Sequence, residues 1–194
     1  MPDLRRRSWT TITALLLFAS LTLVSCGNSS MDEANRLNQS VSEDKKEIER
    51  LAQENRVKES QITAALNAKN YDAARRLLDD TVKAVDQALQ KGQSAADKLD
   101  KASKLNLDQT IKQYLSFRAQ SVNKALEAFK ELREGIVTFR DSIGSTDKAA
   151  TNKAQNDLQQ SVGKFEEMIN ESQKMESQAD EIARSNPDKI KPGR

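Results

Sequence analysis

The chain has 194 residues, of which 37% are hydrophobic and 4% aromatic, and its 31 basic and 29 acidic residues give a net charge of +2. It contains no histidine and a single cysteine, Cys26, which excludes a disulfide within the chain and any site built on histidine pairs. The nearly balanced charge does not favour the clustered basic surface that nucleic-acid binding requires, so we expect no nucleic-acid partner.

The first 25 residues have the three-part layout of a secretory signal peptide. Residues 5–7 are three arginines, an apolar run covers residues 10–24, and the small residue Ser25 follows it. The run is about 15 residues long, which is shorter than the roughly 20 residues needed to span a bilayer. We therefore predict that residues 1–25 direct export and are removed.

The sequence Leu23-Val24-Ser25-Cys26 resembles the bacterial lipobox, in which an aliphatic residue and two small or tolerated residues precede a cysteine. The resemblance implies that the Cys26 thiol receives a diacylglyceryl group, that the chain is cut just before Cys26, and that a fatty acid such as palmitate acylates the new amine. Two or more acyl chains give stable membrane attachment. An uncleaved anchor helix, or ordinary cleavage that leaves the cysteine unmodified, are the alternatives.

The same resemblance implies a place in the bacterial cell envelope, with the membrane as a partner through lipidated Cys26. Gly27, rather than an aspartate, follows the cysteine, which favours the outer membrane if the bacterium has two membranes. Loss of residues 1–25 removes three of the 31 basic and one of the 29 acidic residues, leaving 28 of each. The remaining chain is then neutral, which gives no electrostatic reason to expect a nucleic-acid partner.

Residues 31–186 predict an all-α fold, an antiparallel up-down-up-down four-helix bundle with long helices that resemble coiled coils. In the third helix, apolar residues recur every seven positions at Leu115, Val122, Phe129, Ile136 and Ile143. Short breaks place consecutive helices antiparallel. An extended set of helical hairpins that pack between chains is the alternative, and the oligomeric state is left open. The predicted segments are a lipidated tether at 26–30, helices at about 31–66, 71–104, 107–143 and 146–185, and a flexible tail at 187–194.

Polar residues at the breaks predict where the helices begin. Side-chain oxygens of such residues accept hydrogen bonds from amides of the first helical turn. The predicted N-caps are Ser30 (with Glu33 in a capping box, or alternatively Ser40 with Glu43), Asn70, Asn106, and Ser145 or Thr146.

Three residues of the first two helices depart from the apolar pattern. Gly92 lies on the apolar stripe of the second helix, and we expect it to make room for an aromatic side chain of a facing helix. Asp44 and Asn55 lie near the stripe of the first helix, where a polar residue can set the register; a stripe that drifts past them explains them equally well.

An even number of helices returns the C-terminus to the end that Cys26 fixes near the membrane. The turns at 67–70 and 144–146 then form a distal tip, where an envelope protein would first meet the molecule. The candidate contact residues at this tip are Asn67, Lys69, Asn70, Ser145 and Thr146.

Phe117 is a further candidate contact residue, because it lies roughly 120° from the centre of the apolar stripe of its helix. We predict a partly exposed side chain beside polar neighbours. Burial against a second helix in a four-sided core is the alternative.

No catalytic, cofactor-binding or metal-binding pattern is found in the sequence, since it lacks Glu-x-x-His pairs, a Cys-x-x-Cys-His motif and a glycine-rich phosphate loop. We therefore predict a protein that is not an enzyme and needs no cofactor, and that acts as an interaction or spacer module with a protein partner in the envelope. The alternative is a small-ligand or lipid carrier that uses a gap in the core near Gly92, Ala96 and Phe129.

Overall fold

A computed structural model describes residues 29–190 of the chain, and it confirms the predicted all-α four-helix bundle. The helices are α1 (Ser29–Asn67), α2 (Tyr71–Ser103), α3 (Gln109–Ser142) and α4 (Lys148–Ser185), and their bounds lie within two residues of the predicted ones. Residues 1–28, which contain the predicted signal peptide and the lipobox-like sequence, and residues 191–194 lie outside the described residues.

Consecutive helices form the closely packed pairs of the bundle, which are α1–α2, α2–α3 and α3–α4. The short turns between them make the neighbours antiparallel. Within the described residues, α1 and α4 are not among the closely packed pairs. We call the edge between them the α1–α4 seam.

The seven-residue repeat of α3 faces the core, as predicted. Leu115, Val122, Ile136 and Ile143 are buried, and Phe129 is partly buried against two core clusters. The ring of Phe129 meets that of Phe165 of α4 edge to face, with centroids 5.5 Å apart and an interplanar angle of 66°, the arrangement that aromatic pairs prefer.

The helix starts differ from the prediction in three of four cases. Asn70 caps α2 as expected, since its side chain accepts from the Ala73 amide at 3.1 Å. Asp108, not Asn106, caps α3 through the Thr110 amide at 2.9 Å. Aspartate at this position adds an attraction between its charge and the helix dipole that asparagine lacks.

At α4, Asp147 takes the place predicted for Ser145 or Thr146, and its carboxylate accepts from the Ala149 and Ala150 amides at 2.9 and 3.1 Å. The predicted capping box of α1 is also wrong, because α1 already begins at Ser29 and Ser30 lies inside its first turn. Glu33 instead pairs with Arg36 at 2.9 Å.

Residues 187–190 do not form the flexible tail that the sequence predicted. The Ile190 side chain is fully buried in the core at the end where α1 begins, and its amide donates to the Asn186 carbonyl at 2.9 Å. Lys189 Nζ lies 2.9 Å from the Asp108 carboxylate. Full burial of an isoleucine is worth about 1.5–3 kcal/mol, which explains why this turn packs onto the bundle.

Gly92 allows a close contact between α2 and α3, but with a leucine and not the aromatic residue that we expected. A Cβ atom at Gly92 would lie 2.7 Å from Leu126 Cδ2. The missing side chain therefore sets how closely α2 approaches α3 at this level of the bundle.

Asp44 is buried and pairs with two α2 lysines, Lys98 by a hydrogen bond and Lys91 at 3.4 Å. These contacts tie the register of α1 to that of α2. Asn55 is only partly buried, and in α1 no residue after Leu51 is buried. The distal half of α1 therefore covers the core less completely than its first half.

Candidate functional site

The two distal turns form one surface at the end of the bundle away from Ser29. A Cβ atom at Gly144 would lie 3.2 Å from the Tyr71 side chain, and Arg75 donates to the Ile143 carbonyl. Lys69 and Gly144 adopt positive φ angles of 57° and 76°, and such left-handed residues allow tight turns.

All five candidate residues of the tip are exposed, but two of them have roles in the turns. Asn70 caps α2, and Ser145 Oγ accepts from the Asp147 amide at 3.1 Å. The side chains of Asn67, Lys69 and Thr146 have no such role, although the backbone of Lys69 adopts the left-handed conformation of its turn.

Phe117 is half-buried. It packs against the core cluster at the end of the bundle where α1 begins, and it also borders a shallow groove of about 570 Å³. The Phe117 side chain is thus partly exposed beside polar neighbours, as we predicted, and it also packs on the core, as the alternative held. The other residues that line the groove are Ser103, Gln109, Lys112, Gln113, Ser116 and Gln120.

Cys26 lies outside the described residues, with only Gly27 and Asn28 between it and the start of α1. Three extended residues reach about 10 Å. The end of the bundle at Ser29 also carries the 104–108 turn and the packed turn 186–190, which the Lys189–Asp108 pair joins.

A buried group of polar side chains between α1, α3 and α4 is a feature that we did not predict. The Arg118 side chain of α3 is 1% exposed. Its Nη1 donates to Asn38 Oδ1 of α1 at 2.9 Å and to the Tyr114 hydroxyl at 3.0 Å, and its Nε lies 3.3 Å from Glu176 Oε1 of α4. One guanidinium thereby joins three helices.

Two serines and a lysine extend this group. The hydroxyls of Ser121 and Ser172 lie 3.0 Å apart, and Ser172 also donates to the Ser121 carbonyl at 2.9 Å. Lys45 of α1 is 7% exposed. We call the whole set the polar layer, with the members Asn38, Lys45, Tyr114, Arg118, Ser121, Ser172 and Glu176.

Burial shifts the titration of three members of the polar layer. It lowers the pKa of Lys45 to about 7 and raises the pKa of Glu176 to about 7. It also raises the pKa of Tyr114 to about 12. Each shift disfavours the charged form, as expected where water is excluded.

A second heptad series in the sequence contains the signal for Arg118. Ile111, Arg118, Ala125, Leu132 and Phe139 also recur every seven residues in α3, and together with the series from Leu115 they form the two core positions of a heptad. Arg118 is the one charged member. If the sequence analysis had also followed this second series, it would have predicted that Arg118 is buried.

The core gap near Gly92 is small. It is an apolar cavity of about 40 Å³ between α1, α2 and α3. Gly92 and Phe129 border it as expected, whereas Ala95, not Ala96, lines it from the same part of α2. Pockets for small ligands typically measure about 300–1,000 Å³. The lining residues are Val41, Lys45, Ile48, Ala88, Gly92, Ala95, Val122, Ala125, Leu126 and Phe129.

Within residues 29–190, no group of three or more acidic, histidine or cysteine side chains is placed to hold a metal ion. None of α1–α4 is both long and apolar enough to cross a membrane. The chain matches no protein-family model and no curated protein sequence.

Proposed function

We propose that the protein is a lipid-anchored, non-enzymatic lipoprotein of the bacterial cell envelope that acts as an interaction or spacer module. The observation that carries this proposal is the lipobox-like sequence Leu23-Val24-Ser25-Cys26, which follows a segment with the layout of a signal peptide. Within this sequence, Cys26 is the residue to which we assign a specific modification, lipidation.

The geometry of the bundle supports a spacer. A lipid on Cys26 would hold the end at Ser29 close to the bilayer, because only two residues intervene. The 39 residues of α1 correspond to about 58 Å of helix. The tip residues Asn67, Lys69 and Thr146 would then stand at about that height, where an envelope protein would meet them.

The size of the core gap favours an interaction module over a carrier. A lipid chain or a small metabolite needs several hundred cubic ångströms of enclosed volume, whereas the cavity beside Gly92 measures about 40 Å³. Binding at the core would therefore require the helices to move apart.

Metabolic labelling with a fatty-acid probe tests the anchor. The wild-type chain is expected to incorporate the probe and Cys26→Ala to incorporate none, because the thiol is the acceptor. Ser25→Ala is the matched control, since alanine keeps a small residue before the cysteine and should preserve labelling. Equal labelling of the wild type and Cys26→Ala would refute the anchor.

Site-specific photo-crosslinking in living cells tests the interaction module. A crosslinking residue at Lys69 or Thr146 is expected to capture the same envelope protein, because both lie at the tip. Lys83, an exposed residue on the side of the bundle, provides the control position. The tip would lose its role if all three positions captured the same proteins or if the tip positions captured none.

A further inference from the structure

The bundle consists of two helical hairpins that meet along unequal edges. Within the first hairpin, α1 is tied to α2 by the Asp44–Lys98 and Glu33–Lys101 pairs. Within the second, α3 approaches α4 closely, since a Cβ atom at Gly135 would lie 2.7 Å from Ser161 Cβ. Each hairpin therefore has its own close internal contacts.

One edge between the hairpins, α2–α3, is closely packed. It includes the contact between Gly92 and Leu126 and the Asp79–Arg140 pair at 2.9 Å. The other edge is the α1–α4 seam, which is not among the closely packed pairs, although the buried residues Ala34 of α1 and Ala179 of α4 belong to the same core cluster. Movement of one hairpin against the other would therefore open the seam before it separates α2 from α3.

The polar layer places long polar side chains from both helices of the seam in the core. Asn38 and Lys45 extend from α1, and Glu176 from α4, while Arg118 of α3 contacts Asn38 and Glu176. Their exposed fractions are small, 2% for Asn38 and 12% for the Glu176 side chain. Opening the seam would return the ionisable side chains of Lys45 and Glu176 to water.

We propose that the polar layer is a proton-sensitive latch: the α1–α2 hairpin opens from the α3–α4 hairpin along the α1–α4 seam most readily near neutral pH, and closes more firmly at lower or higher pH.

The direction follows from proton linkage. A state becomes more stable as the pH moves toward values at which its groups carry the protonation that this state favours. The closed form raises the pKa of Glu176 from 4.5 to about 7. The contribution of Glu176 to the stability of the closed form is therefore greatest below pH 4.5 and is lost as the pH rises to 7. The closed form lowers the pKa of Lys45 from 10.5 to about 7, so its stability returns as the pH rises from 7 to 10.5. The two effects meet in a minimum near pH 7.

The charged groups around Lys45 and Glu176 come from three helices. They are Glu49 of α1, Arg118 of α3 and Asp180 of α4, with Tyr114 of α3 beside them. Arginine stays protonated, and burial keeps Tyr114 neutral, since its pKa is raised to about 12. From α2 this level of the core receives Ala95, Ala96 and Leu99, and the α2 lysines Lys91 and Lys98 pair with Asp44.

Hydrogen exchange of the full chain between pH 5 and 9, corrected for intrinsic exchange rates, tests the latch. We expect the protection of α1 amides around Asn38–Lys45 to be lowest near pH 7 and to rise on both sides by up to about tenfold per pH unit. Amides of α2 and α3 around Gly92 and Leu126 should be better protected and depend less on pH. Protection of α1 that is greatest near pH 7, or the same profile in all helices, would overturn the proposal.

Two variants separate the two sides of the minimum. Glu176→Gln is expected to remove the rise below pH 7, and Lys45→Met the rise above it, because each lacks one titrating group. Glu127→Gln and Lys83→Met are matched controls at exposed positions and should keep the wild-type profile. If a core variant fails to fold, the wild-type profile decides. A control that changes the profile as much as its core counterpart would contradict the latch.

Discussion

Arg118 shows how the bundle accommodates a permanent charge in its core. A guanidinium does not lose its proton in proteins, so its burial requires compensating partners. Asn38, Tyr114 and Glu176 lie within 3.3 Å of it, and the Tyr114 ring centroid lies 5.7 Å from its central carbon. Because a buried ion pair often adds little to net stability, we infer that this one helps to fix which helices meet.

Truncation of Arg118 is expected to be strongly destabilising. Arg118→Ala leaves Glu176 buried without its guanidinium, and breaking one side of a buried pair costs about 3–5 kcal/mol. The double variant R118M/E176M removes both charges and should lose less. Denaturant unfolding followed by circular dichroism measures the difference.

Arg133→Ala is the matched control for Arg118→Ala, since Arg133 pairs with Asp86 on the surface, where its side chain is 39% exposed. An exposed pair contributes about 0–1 kcal/mol. Similar losses of unfolding free energy for Arg118→Ala and Arg133→Ala would contradict the importance of the polar layer.

At the residue scale, the sequence predicted apolar core positions better than polar ones. The repeat from Leu115 to Ile143 was found because hydrophobic side chains report burial directly. Arg118 was missed because a charged residue ordinarily indicates a solvated face. Its burial depends on Asn38 and Glu176, which belong to other helices and are 80 and 58 positions away in the chain.

At the element scale, the four helices were predictable because short polar breaks interrupt long segments of strong helix formers. The exact starts were less predictable, since several residues at each break are capable of capping. Asn106 competes with Asp108, and Ser145 and Thr146 compete with Asp147. The structure uses the aspartate in both cases.

The cap of α4 provides a test of this choice. Asp147→Ala is expected to lower the unfolding free energy by about 0.5–2 kcal/mol, because the Ala149 and Ala150 amides lose their acceptor. The melting temperature should fall by about 2–4 °C per kcal/mol for a chain of this size.

Thr146→Ala changes the neighbouring residue and serves as the control for Asp147→Ala. Surface substitutions of this kind usually stay within about 0.5 kcal/mol. A larger loss for Thr146→Ala than for Asp147→Ala would show that the cap lies where the sequence had predicted it.

At the scale of the whole molecule, the two ends of the bundle differ in character. One end gathers the start of α1, the Lys189–Asp108 pair and the buried Ile190. The other is the tip, with exposed side chains on two turns. A lipid on Cys26 would orient this asymmetry relative to the membrane, with the tip directed toward the aqueous space.

The orientation that we propose follows from the sequence alone, because it needs only the count of helices and lipidation of Cys26. The α1–α4 seam was not, since equal helix lengths predict four equivalent edges. The structure distinguishes this edge by its packing and by buried polar side chains beside it, such as Arg118.

Mass spectrometry of the protein extracted from bacterial membranes tests the central claim, the lipid anchor, most directly. We expect the N-terminal residue to be Cys26, carrying a diacylglyceryl group on sulfur with or without an acyl group on the amine. An N-terminal peptide that retains residues 1–25, or that begins at an unmodified Cys26, would contradict the anchor and the orientation that depends on it.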